Sequence, residues 1–527
     1  MAEVLDNHVG GVGRLSRRDL LRLGAAVAAG VVGTAEGLSV PVTARAQETP
    51  KRGGRLRVGS RGGGAAETLS PMRNVNEIDI MRTHVLYERL FAYDLNGAVV
   101  NQLAAEASSN PTATVWRIKL LPGVEWHDGS RLTADDVVYS LRYIATKENN
   151  ATGYTELSYI KPADIRRLDP LTVEIGLDQP NALLPTSIAA RTIWMVKDGT
   201  KSFDRPNGTG PFKFESFNAG ERSVFTRFDG YRKHGGPYLD ALEIISFSNE
   251  TARLNALQTN EIDVMDEYPL PLAKTLPANG QIRLLRAPRA FTLTMYMAVD
   301  LPPFTDNRVR QAFRLMANRQ QMVNTILGQF GVIGNDLFWP TDPDYASQLP
   351  QRAYDPDHAK SLLRAAGKEN VNVSIYTADA GPGMLESATI FAEQAKQAGV
   401  TVTLNKVPGD QYYTAQYLKV ALGQGGWSAR PLTTQFAQVL NTTAPYNETH
   451  WRRPDFDNLT NQARRTLDAK KRRQLWVDAQ TLLWNEGGYI IWGFQDNVDG
   501  YWTKVHGLKT SVARWLGAYD FTDVYLS

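Results

Sequence analysis

Three aspartates in one short stretch are the side chains best placed for acid–base chemistry. Asp128, Asp135 and Asp136 lie close together in sequence, and a pair of carboxylates flanking one bond can hydrolyse it. The same acids also fit structural positions. Asp128 precedes a glycine that supplies the positive φ of a tight hairpin turn, and Asp136 follows Thr133 at the spacing of a helix capping box. We favour the structural interpretation and predict no catalytic residue.

The residue types and their spacing give little indication of a metal or cofactor site. The 527 residues include no cysteine, which excludes disulfides, thiolate metal ligands and cysteine nucleophiles. The 7 histidines are dispersed, and even the closest two, His84 and His127, are too far apart in sequence for a helical or hairpin metal pair. The glycine-rich stretch from Gly208 to Gly210 lacks the Gly-Lys-Ser/Thr continuation of a phosphate-binding loop. We therefore predict neither a metal nor a cofactor.

The length and charge of the chain limit its class. A chain of 527 residues exceeds what one hydrophobic core usually serves, so we expect two or more lobes. The 58 basic and 55 acidic residues nearly cancel, which leaves a net charge of +3. This balance argues against nucleic acid or an anionic membrane surface as a partner.

The N-terminal segment has the features of an export signal. Ser16-Arg17-Arg18-Asp19-Leu20-Leu21 is a twin-arginine pattern, an apolar run follows from Leu23, and Ala44-Arg45-Ala46 offers a cleavage site. The apolar run is too short for a transmembrane helix, which needs roughly 20 residues. We predict a signal peptide at residues 1–46 and a mature chain with no membrane anchor. An amphipathic anchor helix is the alternative interpretation.

Helical and strand patterns alternate along the rest of the chain. A helix is predicted from Glu77 to Phe91, and another behind Thr133, where apolar residues recur at helical spacing up to Ile144. Residues 371–407 show a strand, a helix and a second strand, which indicates a βαβ unit. The predicted fold class is therefore α/β.

Characteristic short phrases occur in order along residues 51–527. They are Tyr87-Glu88-Arg89-Leu90, Trp126-His127-Asp128-Gly129 with the following Leu132-Thr133-Ala134, Gly208-Thr209-Gly210-Pro211-Phe212 with Arg227 and Tyr231, and Asp306 with Val309-Arg310-Gln311-Ala312. In the residues of these motifs and in their order along the chain, the sequence resembles the family-5 extracytoplasmic solute-binding proteins, the peptide, opine and nickel receptors of ABC importers.

The resemblance implies a two-lobed periplasmic-binding-protein fold, with an extra subdomain in lobe I and two strands crossing between the lobes. The expected bounds are residues 51–297 for lobe I, with the subdomain at residues 78–200, residues 298–489 for lobe II, and residues 490–527 for a return to lobe I. The implied function is that of a receptor, not an enzyme, which closes on a small molecule or short peptide and delivers it to the membrane permease of an ABC importer. We expect a monomer. We expect it in the periplasm, because the chain has no cysteine that could carry a lipid.

The resemblance also indicates a ligand site in lobe II. Peptide-binding members carry Gly-Trp-x-x-Asp, whose Asp pairs with the amino terminus of the peptide, and the matching stretch here is Gly426-Trp427-Ser428-Ala429-Arg430. An ammonium beside a guanidinium would be repelled in a dry cleft, whereas a guanidinium binds a carboxylate through two parallel hydrogen bonds. We therefore predict that a carboxylate-bearing, peptide-like or opine-like ligand contacts Arg430. A salt-bridged arginine outside the cleft is the alternative.

The other predicted ligand-binding residues share an expected position at the cleft. They are Trp427, Gly426, Ser428, Arg191, Tyr154 and Ile80. Trp427 is expected to stack on the ligand or on Arg430. Arg191 and Tyr154 match the pocket arginine and pocket aromatic of the nickel-binding branch, and Ile80 belongs to a segment expected to face the cleft. Each of these side chains has an ordinary core or surface position as its alternative.

Three other functions are open at this point. The same fold could serve a true di- or oligopeptide-binding protein in which another acid holds the amino terminus. A nickel-chelate receptor would need a histidine such as His450 in the cleft, and a secreted hydrolase would use the aspartates near residue 128. Recovery of an unchanged ligand from the purified protein would exclude the hydrolase.

Overall fold

Two long antiparallel strands lie side by side at the centre of the molecule. The computed structural model describes residues 49–527 except 234, 277–279 and 513–514, so the predicted signal peptide at residues 1–46 lies outside the described residues. The long strands are Ile282–Met297 and Tyr489–Trp502, and they pair along nearly their whole lengths. The other strands of the main sheet add to one side or the other of this pair.

The strands are numbered here in chain order. They are β1 (Arg55–Arg61), β2 (Phe91–Tyr93), β3 (Val99–Asn101), β4 (Ala104–Ser109), β5 (Val115–Leu120), β6 (Ile165–Asp169), β7 (Thr172–Gly176), β8 (Phe212–Asn218), β9 (Arg222–Arg227), β10 (Ala241–Phe247), β11 (Val264–Met265), β12 (Ile282–Met297), β13 (Gly331–Ile333), β14 (Asn372–Thr377), β15 (Thr401–Lys406), β16 (Leu422–Ser428), β17 (Tyr489–Trp502), β18 (Val505–His506) and β19 (Tyr525–Leu526).

The α-helices of the described residues are numbered in the same way. They are α1 (Glu77–Leu86), α2 (Ala134–Ala145), α3 (Tyr154–Leu157), α4 (Leu184–Ile188), α5 (Glu250–Gln258), α6 (Leu270–Ala273), α7 (Asn307–Met316), α8 (Arg319–Ile326), α9 (Pro356–Ala365), α10 (Met384–Lys396), α11 (Gly409–Gln411), α12 (Leu432–Val439), α13 (Pro454–Arg465) and α14 (Ala469–Glu486). Among the described residues, no helix combines the length and apolar character that crossing a membrane requires.

The main sheet passes through two bodies. Its strand order is β15-β14-β16-β12-β17-β11-β1-β10-β9-β8, with β13 also paired to β17. We call the body that carries β1–β11 lobe I and the body that carries β13–β16 lobe II. The parallel pairing of β14 with β15 confirms the predicted βαβ unit. A separate sheet of lobe I has the order β4-β5-β7-β6.

Each lobe has its own hydrophobic core. One large cluster of buried residues lies in lobe I; it runs from Leu56 to Val264 and also includes Val505, Leu516, Tyr519, Phe521 and Val524. Two further clusters lie in lobe II, between Leu293 and Phe494. The molecule is therefore a two-lobed α/β protein with two crossing strands, as predicted, while the residue bounds assigned to the lobes from sequence stay a prediction.

The pairing of the crossing strands is interrupted between the lobes. The register of β12 against β17 shifts between Ala287 and Phe291, and Arg289 within this break has a φ of 58°. The buried carboxylate of Asp496 on β17 accepts the backbone N–H of Arg289 at 2.8 Å and also binds the guanidinium of Arg286. One acid thus holds the irregular backbone in place at the crossing.

The aspartates singled out in the sequence hold a hairpin and a helix cap. Asp128 accepts hydrogen bonds from Ser130, Lys197 and Asn207. Burial opposes ionisation, but the hydrogen bonds from Lys197 and Ser130 outweigh it and lower the pKa of Asp128. Asp136 accepts the backbone N–H of Thr133 at 2.7 Å, which completes the predicted capping box of α2. The structural interpretation of these two acids is confirmed.

Three of the phrases that carry the family resemblance, those at residues 87–90, 126–134 and 208–212, lie in lobe I and pack near one another. The ring nitrogens of His127 contact the N–H of Gly208 at 3.2 Å and the carbonyl of Gly210 at 3.0 Å. The N–H of Gly210 in turn donates to the carbonyl of Leu86, at the end of α1, at 2.9 Å. Nearby, the buried carboxylate of Glu88 accepts hydrogen bonds from Arg232. These three phrases therefore maintain the packing of lobe I, whereas the phrase from Asp306 to Ala312 lies at the start of α7 and packs in the core of lobe II.

Replacing Gly208 with alanine is expected to destabilise lobe I. A Cβ at this position would lie 1.8 Å from the carbonyl oxygen of Leu86, and forcing extra volume into a packed site typically costs about 1–3 kcal/mol or more. Gly176→Ala is the control, because its nearest neighbour, the Cβ of Asp164, would be 3.3 Å away. Urea unfolding followed by circular dichroism measures both variants. Equal stability of the two would contradict the packing described here.

The helix predicted from Glu77 to Phe91 is too long by five residues. The helix ends at Leu86, and Tyr87 has extended backbone angles of φ −125° and ψ 161°. The extended segment turns the buried side chain of Glu88 toward Arg232, and Phe91 begins β2. The ion pair of Glu88 with Arg232, which are far apart in sequence, therefore overrides the local helical pattern.

Candidate functional site

A cavity of about 250 Å³ lies between the two lobes. Lobe I contributes the charged side chains of Arg89, Glu156 and Arg191, and lobe II contributes those of Asp342 and Arg430. The lobes also touch each other where the backbone N–H of Ala182 donates to the carbonyl of Arg464 at 2.7 Å. A ligand in this cavity would contact both lobes at once.

Arg430 lies in the loop between β16 and α12. Its Nε donates to the carbonyl of Ser428 at 3.1 Å, and a second nitrogen donates to the amide oxygen of Gln438. The guanidinium carbon is 5.0 Å from the ring centroid of Trp427, a distance typical of a cation–π contact. These contacts fix the plane of the guanidinium at the wall of the cavity.

Trp427 is held by a buried acid behind it. The indole N–H donates to Glu448 at 3.2 Å, and the hydroxyls of Tyr417 and Tyr489 donate to the same carboxylate at 2.6 Å each. Burial raises the pKa of Glu448, and the three donors act in the opposite direction. The indole under Arg430 is thus positioned by a hydrogen-bond network centred on the buried carboxylate of Glu448.

The arginines on the lobe I wall are also held. Arg191 pairs with Glu77 at 3.2 Å, and the hydroxyl of Tyr519 donates to the other oxygen of Glu77 at 3.0 Å. Arg89 donates to the carbonyl of Ala189 at 3.3 Å and lies over a tryptophan ring at 4.7 Å. Both guanidiniums are therefore pre-oriented at the cavity wall.

Two carboxylates at the cavity are shifted toward their neutral forms. Burial raises the pKa of Glu156, and the charges of Arg191 and Arg430 are among the effects that oppose it. Burial also raises the pKa of Asp342, which accepts the backbone N–H of Leu432 at 2.9 Å. The wall of the cavity therefore carries carboxyl groups as well as guanidinium groups.

The structure brings only some of the predicted ligand-binding residues to the cavity. Arg430, Ser428 and Arg191 line it, and Trp427 lies directly behind Arg430. Gly426, Tyr154 and Ile80 are not among the cavity residues. Contact of the predicted residues with a ligand stays a prediction.

Packing explains the positions of those three residues. A Cβ on Gly426 would lie 2.3 Å from the ring of Phe291, so this glycine allows close approach within lobe II. Ile80 is 2% exposed and belongs to the core of lobe I. Tyr154 is the first residue of α3, two positions before Glu156, and its side chain is half-buried.

Sequence reasoning missed Arg89, Glu156 and Asp342. Arg89 occupies a variable position inside the phrase from Tyr87 to Leu90, and α3 has only four residues, too few for a periodic pattern. Asp342 lies in a segment without regular secondary structure. No local signal distinguishes these side chains from ordinary surface charges, so only the three-dimensional arrangement identifies them.

The residues proposed for a metal or for hydrolysis lie elsewhere. The ring nitrogens of His450 contact Asp300 at 2.7 Å and the carbonyl of Leu418 at 2.9 Å, and the histidine does not line the cavity. Within the described part of the chain, no group of three or more His, Cys, Asp or Glu side chains could hold a metal ion. Asp128, Asp135 and Asp136 are likewise absent from the cavity wall.

Comparison with known proteins gives the family. Residues 98–447 match the model described as bacterial extracellular solute-binding proteins, family 5 Middle. The chain belongs to this family. A curated relative, the glutathione-binding protein GsiB of Pectobacterium atrosepticum, is 25% identical over 429 residues, which cover 77% of this chain and 82% of the relative.

Solved structures share the fold. The ABC transporter substrate-binding protein CtaP of Listeria monocytogenes superposes with a TM-score of 0.80 at 21% identity, over 90% of this chain and 100% of CtaP. The periplasmic binding protein DppA of Helicobacter pylori, solved with the peptide STSA, gives a TM-score of 0.72 at 21% identity, over 90% of this chain and 98% of DppA. The chain is thus a solute-binding protein of ABC import, and its relatives are binding proteins rather than enzymes.

Proposed function

We propose that this chain is a periplasmic receptor that binds a small carboxylate-bearing compound between its lobes and delivers it to the permease of an ABC importer. The observation that carries the proposal is the placement of Arg430. Its guanidinium lines the cavity between the lobes and is oriented by Ser428, Gln438 and Trp427. A planar guanidinium fixed in this way can donate two parallel hydrogen bonds to a carboxylate.

The ligands of the relatives support a carboxylate-bearing compound. Glutathione, named for the relative GsiB, has two carboxylates, and the peptide STSA in DppA ends in one. Neither ligand is assigned to this chain by that likeness. The shared feature is an anionic group, for which Arg430 is the lobe II side chain of suitable chemistry.

Closure of the lobes is the proposed transport step. A ligand that contacts Arg191 on lobe I and Arg430 on lobe II gains contacts only when the lobes are together, so it stabilises the closed arrangement by that difference. The irregular pairing of the crossing strands near Arg289 is the place where the backbone could bend. The permease then distinguishes the closed form from the open form.

Identification of the bound compound tests the proposal. We expect mass spectrometry of material released from natively purified protein to show an unmodified small molecule with at least one carboxylate. A released ligand without an anionic group would contradict the proposed role of Arg430. Conversion of an added candidate ligand into a product would contradict the receptor function.

Thermal stabilisation gives a second measurement with a matched comparison. A ligand present at 100 times its Kd stabilises the native protein by about 2.7 kcal/mol. We expect amino acids, short peptides or glutathione with free carboxylates to raise the unfolding temperature, and the corresponding carboxamides to fail. Equal stabilisation by acids and amides would show that the carboxylate is not recognised.

A further inference from the structure

A buried acid without a cationic partner lies behind the cavity wall in lobe II. Glu448 is fully shielded from solvent, and among the described residues no lysine, arginine or histidine pairs with its carboxylate. Its hydrogen-bond donors are the hydroxyls of Tyr417 and Tyr489 and the indole N–H of Trp427. Burying a carboxylate without a counter-charge costs free energy, so these three donors must replace the lost contacts with water.

The geometry of the donors favours the ionised form of Glu448. The hydroxyls of Tyr417 and Tyr489 each lie 2.6 Å from a carboxylate oxygen, a separation typical of hydrogen bonds from a hydroxyl to a charged acceptor. A proton added to Oε2 of Glu448 would have to displace the hydroxyl hydrogen of Tyr489. Burial and the charge of Glu448 raise the pKa of both tyrosines, so the two phenols keep their protons. Their hydrogen bonds oppose the effect of burial, which raises the pKa of Glu448.

The indole of Trp427 connects Glu448 to Arg430. Its N–H edge donates to Oε1 of Glu448 at 3.2 Å, and the guanidinium carbon of Arg430 is 5.0 Å from the ring centroid. A Cβ on Gly425 would lie 2.5 Å from the same Oε1, so the acid packs directly against β16, the strand that carries Trp427. A charged acceptor at the N–H polarises the indole and makes its face more negative, which strengthens the cation–π contact.

We propose that Glu448 is a positioning residue for ligand binding, because its negative charge acts through the indole of Trp427 to hold the guanidinium of Arg430 toward the ligand carboxylate. Glu448 does not line the cavity and does not touch the ligand. The inference rests on the proposed function and deepens it, since it assigns a share of the ligand affinity to a buried acid outside the site. A purely structural acid would support lobe II without any specific link to Arg430.

A double-mutant cycle tests this link. The variants are Glu448→Gln, which keeps the size of the side chain and one acceptor but removes the charge, Arg430→Gln, and the two combined. Glu393→Gln is the control, because it removes a carboxylate from an exposed position on α10 of the same lobe. The probe is the compound that mass spectrometry identifies in material released from natively purified wild-type protein. Titration calorimetry measures its binding to each ligand-stripped protein.

We expect Glu448→Gln to bind the probe roughly tenfold more weakly than wild type, since hydrogen bonds to a charged acceptor are about twice as strong as neutral ones. Glu393→Gln should bind like wild type. In the Arg430→Gln background the change at Glu448 should weaken binding further by less than about threefold, because contacts that act as a unit are not additive. Equal losses in both backgrounds, or unchanged affinity of Glu448→Gln, overturn the inference and leave the proposed function intact. Unchanged affinity of Arg430→Gln would contradict both.

A spectroscopic measurement tests the same connection without a ligand. Indole N–H resonances are recorded by NMR on ligand-stripped protein with isotope-labelled tryptophan, and Trp427→Phe identifies the resonance of Trp427. We expect this resonance to shift in Glu448→Gln, which removes the charge of its acceptor, and in Arg430→Gln, which removes the cation over its ring. It should stay in place in Glu393→Gln. A Trp427 resonance that responds to neither of the first two variants overturns the inference.

Discussion

Replacing Arg430 with aspartate is expected to abolish binding of the physiological ligand. The change puts a carboxylate where the ligand carboxylate is proposed to bind, so the attraction between side chain and ligand becomes repulsion. The milder Arg430→Gln removes the charge and keeps a hydrogen-bond donor. Loss of one partner from a buried ion pair costs about 3–5 kcal/mol. Because Arg430 is only half-buried, we expect the cost for Arg430→Gln to lie at the lower end of this range, which corresponds to roughly 100-fold weaker binding.

The matched control is Arg452→Asp, which makes the same charge reversal on an exposed lobe II residue outside the cavity. Titration calorimetry with the compound released from native protein measures all three variants against wild type. Circular dichroism verifies that the variants are folded. Retention of wild-type affinity by Arg430→Asp would refute the assignment of this arginine to the ligand site.

Local features of the fold could be predicted from the sequence because neighbouring residues determine them. The capping box of Thr133 and Asp136 and the turn at Gly129 need only a few adjacent residues, and both are present. The end of α1 could not be predicted in the same way. Glu88 leaves the helical pattern for a partner at residue 232, and no sequence window near residue 88 contains that information.

The candidate site likewise contains one residue that could be found from the sequence and others that could not. Arg430 was found through an aligned family phrase, since the departure from the expected aspartate is visible in the sequence itself. Glu156 and Asp342 lie in no such phrase. Glu156 shares the cavity with Arg430 only because the two lobes meet there, and Asp342 reaches the cavity through the folding of lobe II. Their role depends on long-range packing, which hydrophobic periodicity and turn chemistry do not encode.

Stability is expected to depend most strongly on Asp336, a buried acid surrounded by arginines in lobe II. Its carboxylate is 2.7 Å from Arg319, 2.6 Å from Arg352 and 3.9 Å from Arg314, and it also accepts the backbone N–H of Ile491 on β17 at 3.0 Å. One carboxylate therefore neutralises several guanidiniums and ties the loop after β13 to a crossing strand.

We expect Asp336→Asn to lower the free energy of unfolding by about 3–5 kcal/mol, because it leaves buried guanidinium charge without its counter-ion. Asparagine is chosen since Asp336 has a φ of 59°, a left-handed conformation that asparagine tolerates. Asp379→Asn, on an exposed residue of the same lobe, is the control and should change the stability by no more than about 0.5 kcal/mol. Urea unfolding at pH 7 measures both.

The pH dependence of the same measurement gives an independent check on the ion cluster. Burial would raise the pKa of Asp336, but the charges of Arg319, Arg352 and Arg314 outweigh it, so the net effect is a lowered pKa. An acid with a lowered folded-state pKa contributes its full stability above its unfolded-state pKa of about 3.9 and loses it as the pH falls further. The difference between wild type and Asp336→Asn should therefore be constant from pH 7 to about pH 5 and shrink below about pH 4. A difference that is small at pH 7, or that grows as the pH falls, would show that the carboxylate does not stabilise lobe II through its charge.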